Sequence, residues 1–234
     1  RDDIWALAFS PKGDRLAAGD LWGEVWTWDT ATGKIDVRFE GLRDTVHGLA
    51  WSPDGKRLAG AADGKRARLW NAATGAAIGS PLAHKHSILD AVFSPDSRTV
   101  VTASIDNTAR LWNAADGSPL GEPFVHPGHV YSLAFTPDGE TLLTGCKDNG
   151  LRFWNAKTGA PIREAIMHPN WVHVSVYSPD GETILTGCED GNARLYDAKS
   201  HGLIATIPHR GPVKAAVFSP DGSRFLTGTW DDRT

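Results

Sequence analysis

Short apolar stretches run the length of this chain, with turn-forming residues between them. Residues 87–124 show the pattern in full. "SILDAVF" is an apolar run ending on an aromatic. "SPDS" then turns the chain, Pro fitting the second turn position with its fixed φ and Asp bonding back to the backbone. "TVVTAS" is β-branched and strand-like, "DN" turns again, and "TARLWN" is a third strand. "AADG" reads as a hairpin loop, and "SPLGEPF" as a fourth, more polar strand. Helical periodicity is absent throughout, so the pattern predicts four strands joined by three hairpins.

The same unit recurs. Its Ser/Thr-Pro turn begins at Ser10, Ser52, Ser94, Thr136, Ser178 and Ser219, in steps of 42, 42, 42, 42 and 41 residues. A second series, Trp28, Trp70, Trp112, Trp154 and Tyr196, is followed each time by Asp or Asn. A third, His84, His126, His168 and His209, stands ten residues before each Ser/Thr-Pro. One four-stranded sheet cannot bury both of its faces, but stacked copies can, and a period in the low forties marks a repeat architecture.

With its Trp-Asp or Trp-Asn pairs, its spaced His and an Asp six residues before Trp112, Trp154 and Tyr196, the whole chain resembles the WD-repeat family of β-propellers. The resemblance implies an all-β fold of four-stranded antiparallel blades in one domain over 1–234. The blades fall at about 1–41, 42–83, 84–125, 126–167 and 168–208, with two strands of a sixth in 209–234. Both ends lie inside the repeat. The expectation is therefore five full blades and part of a sixth, cut from a larger ring, most commonly of seven, and oligomeric or poorly soluble alone.

The resemblance also implies a buried hydrogen-bonded tetrad in each blade: His84, Thr102, Asp106 and Trp112; His126, Thr144, Asp148 and Trp154; His168, Thr186 and Asp190, with Tyr196 replacing Trp. An indole only donates, a hydroxyl does both, an imidazole donates at one nitrogen and accepts at the other, and a carboxylate ends the chain. Ser104, Cys146 and Cys188 lie two residues further along the same strand face, so the hydroxyl assignment is open. Such a network is expected to be kept or lost whole. Repeat two has Leu42, Gly60 and Gly64 at its positions, leaving Trp70 as apolar filler, and Trp5, Trp22 and Trp26 are expected to fill the vacated space in repeat one. A catalytic reading of His, Asp and Thr is disfavoured, because catalysis rarely needs several copies of a site at a structural period. The third-strand series Arg68, Arg110, Arg152 and Arg194 is expected to lie solvated along blade edges.

Composition narrows the function. The 234 residues carry a net charge of −4, which argues against nucleic acid. No stretch has the length of a membrane span. Two cysteines, Cys146 and Cys188, suit thiols in a reducing, cytoplasmic setting rather than a disulfide scaffold. Nine histidines invite a metal, yet none falls into zinc spacing, and neither a phosphate loop nor a nucleophile elbow is present. No catalytic residue, cofactor, metal or small-molecule substrate is expected. A propeller enzyme with a channel-face site, or a nucleic-acid module, stands as the alternative.

In the family, the loop after each His and the residue before each tetrad Asp face the top surface, where partners dock. There the resemblance puts Trp171 and Trp230, read as an exposed aromatic pair on adjacent blades, with His129, Lys147, His173 and Glu189 nearby and Arg43 in an earlier blade. The expected function is a non-catalytic scaffold for protein or peptide partners. The "WNAATG" and "WNAKTG" segments are similar to bacterial WD-repeat arrays, which suggests by analogy a place in a larger signalling protein.

Overall fold

A computed structural model describes residues 3–230. Each apolar run has become a strand, and the described residues contain no helix. Blade one comprises β1 (Ile4–Phe9), β2 (Arg15–Asp20), β3 (Val25–Asp29) and β4 (Ile35–Phe39). Blade two comprises β5 (Val46–Trp51), β6 (Arg57–Ala62), β7 (Arg66–Asn71) and β8 (Ala77–Ala83). Blade three is β9 (Ile88–Phe93), β10 (Thr99–Ser104), β11 (Thr108–Asn113) and β12 (Pro119–Val125). Blade four is β13 (Val130–Phe135), β14 (Thr141–Cys146), β15 (Gly150–Asn155) and the short β16 (Ile166–Met167). Blade five is β17 (Val172–Tyr177), β18 (Thr183–Cys188), β19 (Asn192–Asp197) and β20 (Leu203–Pro208). A sixth sheet holds β21 (Val213–Phe218) and β22 (Phe225–Thr229). Every sheet is antiparallel, with each strand hydrogen-bonded to the next in sequence, the meander of a propeller blade.

The chain divides into two compact units between Val125 and His126, at a blade boundary. Within each unit the first strands of successive blades pack side by side, and the core lies between blades. In the first unit Val25, Phe39, Val46, Leu58 and Trp70 form one buried cluster, and Leu69, Leu82, Ile88, Val100 and Trp112 the next. In the second unit Leu143, Leu151, Phe153, Val172, Ile184 and Tyr196 pack together, and Leu185, Ala193 and Val213 continue the series.

Small residues on the second strand let neighbouring blades approach. A Cβ on Gly145 would lie 2.9 Å from Val172, and one on Gly187 would lie 2.7 Å from Val213. The Ser/Thr-Pro-Asp turns are bonded alike: Ser52 Oγ donates to Asp54 (2.6 Å) and accepts the Arg57 N–H (2.9 Å). Gly carries the left-handed φ there, at +72° in Gly139. In blade three Ser97 takes that position at φ +62°, and its hydroxyl accepts the Asp54 N–H of blade two (3.0 Å).

Candidate functional site

The buried networks set the frame for the surface above them. In blade three one assignment satisfies every atom. Trp112 Nε1–H donates to Thr102 Oγ1 (2.8 Å), Thr102 donates to His84 Nε2 (2.7 Å), and His84 Nδ1–H donates to Asp106 (3.0 Å). Thr108 Oγ1 donates to the same carboxylate (2.6 Å). Burial pushes the Asp106 carboxyl up, but the bonds from His84 and Thr108 outweigh it and hold the group well below the usual carboxylate range.

Blades four and five depart from the expected tetrad. The His, hydroxyl and Trp links persist in blade four, with Thr144 Oγ1 2.7 Å from His126 Nε2 and 2.9 Å from Trp154 Nε1. Asp148, however, turns to Arg152, which grips it through both terminal nitrogens. Position 150 is the reason. Blade three has Thr108 there, whereas Gly150 offers no hydroxyl, and a Cβ on it would lie 2.6 Å from the Arg152 guanidinium. In blade five Asn192 turns its amide to the Asp190 carbonyl (3.3 Å), and Arg194 takes the Asp190 carboxylate at 2.6 Å. Despite burial, both carboxyls are brought down to about 2 by their arginines. Arg152 and Arg194 are thus ion-paired and mostly buried, contrary to the solvated reading of that series.

His168 instead donates Nδ1–H to the Ile166 carbonyl (3.3 Å), and its Nε2 accepts from Thr186 (3.0 Å) and Tyr196 (3.2 Å). Burial, helped by Arg194, lowers this imidazole to about 4.

Two other expectations change. In blade two Trp70 is a donor as well as a filler: its Nε1–H bonds to the Glu40 carbonyl (2.8 Å), and Gly60 makes room for the ring. In blade one Trp5 and Trp22 are exposed rather than filling a void, and Thr27 Oγ1 is buried with no hydrogen-bond partner. The open hydroxyl assignment resolves by geometry. Ser104 donates to the Ser87 carbonyl (2.8 Å), Cys146 to Gly128 (3.3 Å) and Cys188 to Asn170 (3.1 Å). These residues pin the loop after each His, and burial raises the Cys146 thiol to about 11.

The pinned loops carry the candidate site, at the end of the sheets where the first strands begin. Trp171, just before β17, stacks on Tyr131 of β13, with centroids 6.2 Å apart and planes at 27°. Tyr131 also meets the His173 ring at 4.8 Å and His129 at 6.3 Å. Lys147, in the β14–β15 turn, holds its ammonium 4.4 Å from the Trp171 ring centre, a cation–π contact. Beside it, Lys214 Nζ of β21 lies 2.7 Å from both His173 Nε2 and Glu189 Oε2, and His173 and Glu189 also touch. Burial, reinforced by Lys214 and opposed by Glu189, holds His173 below its ordinary value. Glu189 is lowered: burial opposes this, but Lys214 and His173 prevail.

The structure therefore brings together His129, Lys147, Trp171, His173 and Glu189. It does not make Trp171 one of an exposed pair: Trp171 is half-buried between Tyr131 and Lys147, while Trp230 is 59% exposed and gives its N–H to the Pro212 carbonyl. Arg43 belongs to the first unit, exposed before β5 and lining a cavity with Trp22 and Trp26. Tyr131 and Lys214 were missed from sequence, although the repeat contains the signal. Tyr131, His173 and Lys214 each stand five residues before their Ser/Thr-Pro, so one register position of three successive first strands builds the site.

Five four-stranded meanders, each with a Trp or Tyr at a fixed register and three of them with the spaced His, are a propeller's parts, and residues 3–232 match the family profile described as IFT122 first beta-propeller. The chain belongs to that family. A comparison with curated proteins finds no match. Like other WD-repeat-type propellers, members of the IFT122 first-propeller family share a fold that generally serves as a protein-interaction scaffold and is typically non-enzymatic. Among the described residues no group of three or more His, Cys, Asp or Glu is placed to hold a metal ion.

Proposed function

We propose that this propeller is a scaffold that holds an extended peptide segment of a partner protein on the Tyr131–Trp171 surface of blades four to six. The observation that carries it is the aromatic stack with Lys147 over its face. Aromatic residues beside a cation, on a first strand and loops pinned to the sheets, have the make-up of an interface anchor. The Lys214–Glu189 ion pair, with His173 against both, lies beside the stack. The partner segment would lay an apolar side chain on Trp171 and an acceptor against Lys147.

The test is peptide-display selection on the immobilised chain, followed by calorimetry of a selected peptide with wild type, Trp171→Ala, Trp171→Phe and Lys147→Ala. Loss of a central Trp anchor costs about 2 kcal/mol, roughly thirtyfold in affinity. Trp171→Phe should retain most of the binding. Equal affinity for wild type, Trp171→Ala and Lys147→Ala would refute the reading.

A further inference from the structure

The opposite end of the same sheets holds a second, unassigned cleft. Blade four is irregular there. Its fourth strand is reduced to Ile166–Met167, with one isolated bridge between Trp154 and Pro161, whereas blade five keeps six residues in β20. After the Ile162 N–H bonds to the Phe153 carbonyl (2.9 Å), the chain leaves the sheet. Phe153 itself is a departure, standing where blades two, three and five have Leu69, Leu111 and Leu195. The combination opens a cavity of about 500 Å³ between blades four and five, lined by Phe153, Ile162, Arg163, Tyr177, Lys199 and His201 among others. That volume lies within the range of about 300–1,000 Å³ typical of ligand sites and suits one bulky side chain with its flanking backbone.

The lining has an apolar floor and a cationic rim. The His201 ring meets Phe153 edge-on at 4.6 Å, and the Arg163 guanidinium lies 5.4 Å from the Phe153 ring centre. Ile162 is 52% exposed. Arg163 spends only its Nε, on the Glu164 carbonyl at 3.3 Å. Among the described residues its terminal nitrogens, the Lys199 ammonium and the His201 ring nitrogens bond to no protein acceptor. On the acidic side, Asp197 is occupied by the Ser200 hydroxyl (2.7 Å) and by the Lys199 and Ser200 amides, and Glu182 stays exposed. Burial and Arg163 hold His201 below its usual range.

We propose that this cleft is a second peptide site, which takes one apolar side chain over Phe153 and Ile162 and the acidic residue that follows it against Arg163 and Lys199. The free donors select the occupant: Arg163 and Lys199 are cationic and, among the described residues, their terminal nitrogens have no acceptor, while Asp197, though charged, is already bonded within its own turn. The site is independent of the Trp171 surface, being built at the other end of the sheets.

The probe is acetyl-Gly-Leu-Glu-Asp-Gly-amide, titrated into the ¹⁵N-labelled chain and followed by amide chemical shifts. Two control peptides replace the acids with Lys or the Leu with Gly. The expected result is saturable shifts around Phe153, Arg163 and His201 for the probe alone, with affinity at least tenfold weaker in Arg163→Glu and unchanged in Trp171→Ala. Arg163 is exposed, so this variant should fold, and its thermal melt checks that. Equal binding of the Lys peptide, equal binding by Arg163→Glu, or no shifts at millimolar peptide would overturn the proposal. Shifts confined to Tyr131, Lys147 and Trp171 would overturn it too, while supporting the first site.

Discussion

Replacing Thr102 by Val changes shape little and removes one hydroxyl from the centre of the blade-three network. Thr102 is fully buried. Its oxygen accepts from Trp112 at 2.8 Å and its proton goes to His84 at 2.7 Å, so the substitution orphans two groups buried around it. Each orphaned buried group costs about 1–3 kcal/mol, which sets the expected loss at about 2–6 kcal/mol. Thr27 supplies the control. It is equally buried, yet its hydroxyl has no partner, so Thr27→Val removes an unsatisfied group and should be neutral or stabilising by about 1 kcal/mol. Both residues lie in the first unit, so urea unfolding compares them on one transition. The midpoint should fall steeply for Thr102→Val and hold or rise for Thr27→Val. Equal shifts in the two variants would show that the hydrogen-bonded network is not what stabilises blade three.

Two further expectations concern the departures from that network. Gly150→Thr should displace Arg152 and give Asp148 a hydroxyl partner, as Thr108 does for Asp106. A crystal structure of the variant should then show Asp148 turned to His126, and Arg152 still on Asp148 would count against the role given to position 150. His168 titrates near 6.5 when unfolded and about 4 when folded, so the unfolded chain binds more protons between those values. Its stabilisation is fully present above pH 6.5 and is lost as the pH falls towards 4, by about 3 kcal/mol. Unfolding of the second unit at pH 7 and pH 4.5 should show a smaller acid loss in His168→Gln than in wild type, and parallel losses would contradict the assignment.

Much of this protein was legible in its sequence because a repeat states each structural constraint several times. The Ser/Thr-Pro beat fixed where chains turn, the alternating runs fixed the strands, and the absent His, Thr and Asp of repeat two marked a network lost together. The sequence also named Trp171, Lys147, His173 and Glu189 as neighbours, since the resemblance assigned their loops to one surface. It could not show where each carboxylate points. Asp106, Asp148 and Asp190 occupy one register position, but a Thr, Gly or Asn two residues on decides whether His or Arg claims them, through a hydroxyl or the lack of a Cβ. Nor could it show that Trp171 lies against Tyr131 of the preceding blade, a contact made only when first strands pack. The cleft over Phe153 is likewise tertiary. It exists because one outer strand leaves its sheet after a larger ring fills the place of Leu, and hydrogen bonds and packing across blades, not local propensity, settle that.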